Sequence, residues 1–478
     1  AAAALGFTPP AAESGPVLEV PAQPDPAPGD PMPPVEDPEE LVRLLTQLME
    51  DWSDAVAIER ALAGAVRLAT LPADQRARLA APLLKRAERR AGEEWNGPLR
   101  GLRPASDLAR LAQAWGTGLM PSVDRSAYVS RYDLVNKLDD PVDRSGTARS
   151  VAGILTARVW EAALLIGRGR PVSLLAEPAT VRGAVDPDHL LARLAAWAAA
   201  PAAALPRHDL EVALLRLPPG LDHSFWSAWA RAHPTSARAA RRAYQAGLGR
   251  LSFEPVLGQP AGGRPYYHRA AHVHVLARLT APAGDPASSH CWSLLTALDR
   301  PLHDHHPLRC DWRRYDPRAD SVVTAWPMLC PWQPDLAAAH LLVPLSEGLR
   351  PGRSPAAAAV ESLARPGHAL GPVGHLALLT ALASAEPDTR VAAAGTWIQA
   401  AGDGRIDPQQ AGAALVTGVA GGAFKLSRVA EALGHAAPDP VAGRRIVETT
   451  FAAAARLIPG RPANLQHLLE LAGRISAT

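Results

Sequence analysis

The stretch Asp37-Pro38-Glu39-Glu40-Leu41-Val42-Arg43-Leu44-Leu45-Thr46-Gln47-Leu48 decides how the chain is read. Asp37 is a capping residue, Pro38 suits the first helical position, where its missing N–H is no loss, and Glu40 completes a capping box. Leu41, Leu44, Leu45 and Leu48 then recur at the period of a helix with one buried face. Ile58, Leu62 and Val66 mark a second helix, and Leu79, Leu83 and Leu84 a third, with Leu71-Pro72 in the turn between them. Three short amphipathic segments in succession predict an antiparallel helical group.

Upstream, residues 1–36 hold ten prolines and five acids but neither Lys nor Arg. That composition favours extended, solvated backbone, so the segment reads as a Pro-rich acidic linker or disordered tail. The first residue is Ala1 rather than Met, as expected of a processed protein or a piece of a longer one.

Downstream, Leu108, Leu111 and Trp115 predict another helix, and Met120 to Asp143 a long polar excursion. Periodicity returns with Val151, Leu155, Val159 and Leu164. Short Ala/Leu-rich segments bounded by Pro or Gly follow at 190–199, 210–215, 225–232 and 237–248. Such a rhythm of helix, breaker and helix is what stacked helical pairs produce. In the last part Asp388 precedes a helix carrying Val391, Trp397 and Ile398, and Asp407, Pro408 and Gln410 cap one that runs through Leu415 and Val419. Leu426, Val429 and Leu433 give a third, with Gly434 placed to stop it, and two more span 441–457 and 464–475.

One segment departs from this period. From Tyr267 to Leu279 the residues Val273, Val275, Ala277 and Leu279 alternate with His268, His272 and His274, the pattern of a half-buried strand. A strand needs a partner, and 322–326 is the expected one. The reading is therefore a mainly α chain, an α-solenoid or helical repeat array over 37–478, with a small β insertion near 265–330. Its parts are a tail (1–36), an N-terminal helical array (37–250), a mixed segment (251–335) and C-terminal repeats (336–478).

Composition bounds the function. Hydrophobic residues at 47% and charged residues at 20% are globular values, which exclude wholesale disorder. A net charge of +2 removes the broad positive field that non-specific nucleic-acid binding needs. Positive charge is nearly all Arg, since only Lys85, Lys137 and Lys425 are lysines, a bias attributed to a GC-rich genome. Three cysteines, Cys291, Cys310 and Cys330, are too few for a disulfide framework, and no apolar run approaches a membrane span. A cytoplasmic location is expected.

The run Pro387-Asp388-Thr389-Arg390-Val391-Ala392-Ala393-Ala394 resembles the HEAT motif, in which Asp caps a helix, Arg is exposed and Val-Ala faces the core. Wider stretches join it: His340 to Arg353, Gly371-Pro372-Val373-Gly374-His375-Leu376, Gly404-Arg405-Ile406-Asp407, Phe424-Lys425-Leu426-Ser427-Arg428, Leu174 to Ala179 and Glu59 to Gly64. From about residue 37 to the end, the chain resembles an uncharacterised actinobacterial family of large proteins with HEAT-like helical repeats. The resemblance implies a scaffold in a multiprotein system of the conflict or stress-response kind. The partners it implies are AAA+ ATPases, von Willebrand A-domain proteins and SWIM zinc-finger proteins. It implies no catalytic residues and no cofactor.

Candidates for chemistry are few. His268, His272 and His274, with Cys291, His303, Asp304, His305, His306 and Cys310, include zinc-ligand types, and a strand His-x-His puts both rings on one face. The metal candidates are His272, His274, His303, His305 and Cys310, although their spacing matches no zinc signature and a solvated strand face explains them as well. Gly-x-Ser-x-Gly is absent, and the Gly418 to Gly422 turn lacks the Lys-Ser/Thr ending of a phosphate loop. Trp292, Trp312, Trp326 and Trp332 read as core, and Arg238, Arg241 and Arg242 as a solvated helix face. The expectation is a non-catalytic protein-interaction scaffold, not an enzyme; the alternative is a metal-dependent or nucleic-acid-binding or processing protein of the same fold.

Overall fold

The structure, a computed structural model, describes residues 18–19, 29–50, 54–93, 104–119, 151–167, 169, 173–199, 205–247, 250–258, 272–280, 326–349, 357–364, 370–460 and 462–477. The described chain is mainly helical. After strand β1 (Leu18–Glu19) come α1 (Pro38–Glu50), α2 (Ala55–Arg67), α3 (Ala73–Glu93), α4 (Pro104–Thr117), α5 (Val151–Gly167), α6 (Pro187–Ala199), α7 (Arg207–Leu215), α8 (His223–Ala232) and α9 (Pro234–Gly247). Strands β2 (Arg250–Gly258) and β3 (His272–Thr280) precede α10 (Trp326–Leu329), α11 (Pro334–Glu347), α12 (Ala357–Ala364), α13 (Pro372–Leu382) and α14 (Pro387–Gly402). The chain continues with α15 (Pro408–Ala420), α16 (Leu426–Ala436), α17 (Pro440–Leu457) and α18 (Leu465–Ala477).

Four of these helices begin on Asp-Pro. Proline at the first position has no N–H, so the preceding carboxylate is free to serve the next donors. Asp37 accepts from Glu39 N at 3.0 Å, Asp186 from His189 N at 2.9 Å, and Asp439 from Ala442 N at 2.8 Å. Asp407 accepts from Gln409 N and Gln410 N at 2.8 and 3.1 Å. Glu40, expected to complete a capping box, is instead engaged by Arg60 at 2.5 Å, because a guanidinium is the stronger donor.

In the C-terminal part each helix packs on the next but one. α11, α13, α15 and α17 form one layer, and α12, α14, α16 and α18 form the other. α13, buried along its whole length from Pro372 to Leu382, is apolar all round because it lies between α11 and α15 with α14 against it. Further back, α2 packs on α5, α5 on α7 and α7 on α9, while α3 and α4 pack on each other and on α1.

β2 and β3 pair antiparallel from Arg250↔Thr280 to Gly258↔His272, and β1 adds to β2. The expected partner at 322–326 is thereby corrected: Trp326 opens α10, and 321–325 lie outside the described residues. The nearer segment closes a shorter loop, and its Leu251, Phe253, Pro255 and Leu257 stand opposite Leu279, Ala277, Val275 and Val273.

Three other expectations change. Arg390 is buried and Val391 is 52% exposed, the reverse of the HEAT-motif reading. The guanidinium finds the carbonyls of Ser384 and Ala385 inside and meets the Glu431 carboxylate at the surface, so it goes in, and Ala393 and Ala394 take the core positions. α16 runs through Gly434 to Ala436, since Leu433 and Ala436 are buried and hold the last turn. At the end of the expected tail, Met32 N donates to Ala179 O and Val181 N to Asp30 O, both at 2.9 Å, and Val35 is buried.

Candidate functional site

The strongest concentration of charge lies inside the molecule. Glu59 on α2, Arg158 on α5, Asp209 on α7 and Arg216 just after α7 are all at most 3% exposed. Glu59 takes both guanidiniums: Arg158 through Nη1 and through Nη2 at 3.0 Å, and Arg216 through Nη1 at 3.0 Å and Nη2 at 2.8 Å. Arg158 also reaches Asp209 Oδ1 at 3.2 Å. The second oxygen of Asp209 accepts from the amides of Leu175 and Ala176, at 2.5 and 3.2 Å. Burial alone would raise the Glu59 carboxyl, but the two arginines outweigh it and hold it at about 2.

Two charges of each sign thus cancel in a place water does not reach, and each is hydrogen-bonded, which is the condition for burying them at all. The network ties α2, α5 and α7 together. Arg216 carries it further, donating through Nε to Met328 O on α10 at 2.9 Å, while Trp332 Nε1 donates back to Arg216 O at 2.9 Å. α10 comes this close because Gly183 has φ +95° and no side chain; a Cβ there would collide with the Met328 backbone.

Around this centre, side chains cap helices to which they do not belong. The Glu161 carboxylate on α5 accepts from His208 N and Asp209 N, both at 2.9 Å, in the first turn of α7. Burial pushes that carboxyl up to about 7. Asp335 on α11 does the same for α13, accepting from Val373 N at 2.9 Å and Gly374 N at 3.1 Å, and burial lifts it to about 6.

Arginines serve the opposite ends. Arg405 donates to Leu363 O and Ala364 O at the end of α12, both at 3.0 Å, and Arg428 to Leu349 O past the end of α11 at 3.2 Å. Arg390 donates to Ser384 O and Ala385 O beyond α13. Each placement suits the helix dipole, anion at the N-terminus and cation at the C-terminus. His375 joins in as a neutral ring: Nδ1–H donates to Gly371 O at 2.9 Å, and Nε2 accepts from Asp407 N at 3.0 Å. Burial holds its pKa down to about 4.

Chemically this arrangement positions helices. Glu59 and Asp209 have guanidiniums and amides on their oxygens, and Glu161 and Asp335 have amide donors. Cys330 is buried, and burial pushes its thiol up to about 12, far from a reactive thiolate. Of the metal candidates, His272 and His274 stand two positions apart on β3, opposite Gly258 and Val256. His303, His305 and Cys310 lie outside the described residues, as do His268, Cys291, Asp304 and His306. Among the described residues no group of three or more His, Cys, Asp or Glu has the arrangement of a metal site.

Gly418 to Gly422 ends α15: Gly421 N donates to Thr417 O, and a Cβ at Gly418 would enter the ring of Phe424. Trp332 is half-buried, while Trp292 and Trp312 lie outside the described residues. Arg238 is exposed and Arg241 half-buried on α9. No described helix is long and apolar enough to cross a membrane.

The sequence reading missed Glu59, Arg158, Asp209 and Arg216, yet a signal was present. Arg158 and Glu161 interrupt the mostly apolar Val151 to Ile166 run, and Glu59 sits among Ile58, Ala61 and Leu62. A charge on the buried face of a helix announces a buried partner. Compared with family models, curated proteins and solved structures, the chain matches none.

Proposed function

We propose that the chain is a HEAT-like α-solenoid acting as a non-catalytic scaffold for other proteins. The observation that carries this reading is the alternate-helix packing of α11 to α18, in which each layer extends one helix at a time and its length is surface. The buried charges are in keeping with this reading, since they are bonded to helix ends and to one another. A net charge of +2 favours protein over nucleic acid as the partner. The family resemblance supplies candidates: AAA+ ATPase, von Willebrand A-domain or SWIM zinc-finger proteins of one cytoplasmic system.

Affinity purification from the native host at two salt concentrations, with mass spectrometry and elemental analysis of the same eluate, tests this. A defined protein complex that persists at high salt is the expected result. Nucleic acid that washes off at high salt with no protein partner, or stoichiometric zinc that is lost in His272→Ala or His305→Ala, overturns it.

A further inference from the structure

The segment 29–36, which leads into α1, is bound to the rest of the chain along one edge. Exposure there runs with period three: Gly29 and Met32 are half-buried and Val35 is buried, while the two residues after each of them are exposed. Three residues per turn is the period of a polyproline II helix, the conformation that Pro31, Pro33 and Pro34 favour.

The inner edge is fitted to the chain residue by residue. A Cβ at Gly29 would come within 2.6 Å of the Arg182 side chain, and Val35 lies so close to Gly64 on α2 that a Cβ on Gly64 would come within 2.8 Å of it. Met32 packs on the core. The backbone is held as well: Asp30 O and Met32 N bond to Val181 and Ala179, Arg60 Nε donates to Pro33 O at 2.9 Å, and Arg67 Nη1 donates to Val35 O at 3.2 Å. None of these contacts uses a proline ring.

We propose that residues 29–36 form a polyproline II ligand displayed on the surface for a proline-recognising domain of a partner protein. A helix with three residues per turn has three edges, so seating one leaves the other two as a single outward surface. Here that surface consists of two residue–proline pairs, Asp30-Pro31 and Pro33-Pro34, separated by the inward Met32. Proline rings one turn apart are what an aromatic-lined groove grips, and they carry no N–H to be stripped of water. A free peptide must be ordered as it binds, whereas this segment is already ordered by its inner edge, so most of that entropic cost is absent. Asp30, Glu36, Asp37 and Glu39 are exposed around the prolines, so the groove that fits carries basic residues at its rim. The inference rests on the scaffold reading and names the chemistry of one partner for it.

The full chain is titrated against a labelled SH3 domain, a WW domain and an EVH1 domain, with fluorescence anisotropy as the readout and a synthetic peptide of residues 29–37 for comparison. The chain is expected to bind at least one of the three about tenfold more tightly than the peptide, which populates the bound conformation only in part. Pro31→Ala/Pro34→Ala removes the outer rings, leaves the inner edge in place, and should weaken binding about tenfold with helical circular dichroism unchanged. Met32→Asp unseats the inner edge and should bring the chain down to the level of the peptide. Added salt should weaken the complex, since exposed charges are screened. Absence of binding to all three domains overturns the proposal, and so does binding no tighter than that of the peptide or indifferent to both prolines. If those results come with a salt-stable protein complex from the native host, this inference falls and the scaffold reading stands; without such a complex, both fall.

Discussion

Glu59→Gln is the sharpest test of the charged centre. The substitution keeps the shape and removes the charge, leaving Arg158 with Asp209 but Arg216, 0% exposed, with neutral acceptors alone: the carbonyls of Met328 and Ala176 and the amide oxygen at position 59. Breaking a buried ion pair from one side costs about 3–5 kcal/mol. The carboxyl itself gives the same order: held at about 2 instead of 4.5, it contributes on the order of 3 kcal/mol at neutral pH. Because the folded carboxyl lies below its unfolded value, that stability is present above pH 4.5 and is lost as the pH falls toward 2. Urea denaturation at pH 7, followed by tryptophan fluorescence and circular dichroism, should show a loss of about 3–5 kcal/mol, and heating a drop in Tm of about 3–5 °C for a chain of 478 residues. The deficit should shrink below pH 4.5, where the unfolded carboxyl takes up a proton that the folded one, held at about 2, does not yet bind. Asp74→Asn is the control, at a pair 3.6 Å apart whose side chains are 78% and 77% exposed, for which less than about 1 kcal/mol is expected. If Glu59→Gln unfolds with the control, or its deficit is the same at pH 3 as at pH 7, the keystone argument is wrong.

Gly418→Ala drives a methyl group into the ring of Phe424 and should cost about 1–3 kcal/mol in the same assay, with part recovered in Gly418→Ala/Phe424→Leu; no loss in the single variant refutes the close approach. His375, held down to about 4, keeps the folded state neutral, so its contribution to stability is present above pH 6.5 and is lost as the pH falls through 4. Selectively labelled histidine, assigned with His375→Asn, should still show a neutral ring at pH 5.5, and an imidazolium shift there sinks the assignment. Glu161 and Asp335, raised to about 7 and 6, act in the opposite sense, their contributions being lost as the pH rises through those values.

Much of the local order was legible because it is local. Asp-Pro starts, leucines at helical spacing and Gly/Pro breakers act within a few residues, so the caps at Asp37 and Asp407 stand where the pattern puts them. The errors share one cause. Gly434 has the composition of a stop, but buried Leu433 and Ala436 carry α16 past it, packing against propensity. Arg390 reads as surface on its own helix and is drawn inside by the carbonyls of Ser384 and Ala385, which lie outside that helix. The strand at 272–280 was visible by alternation, whereas its partner depends on which segment closes the cheaper loop.

The amino-acid sequence by itself determined the helical class, most helix starts, the balanced charge and the absence of any recognisable catalytic motif, because each follows from residue type or short-range spacing. Tertiary structure alone decided where the arginines go. A chain rich in Arg reads as a bias of composition, yet Arg158 and Arg216 are spent on Glu59, and Arg390, Arg405 and Arg428 on the ends of other helices. Those partners lie up to 157 residues away along the chain. A guanidinium selects a partner by charge and distance in space, and neither is written in the neighbouring residues.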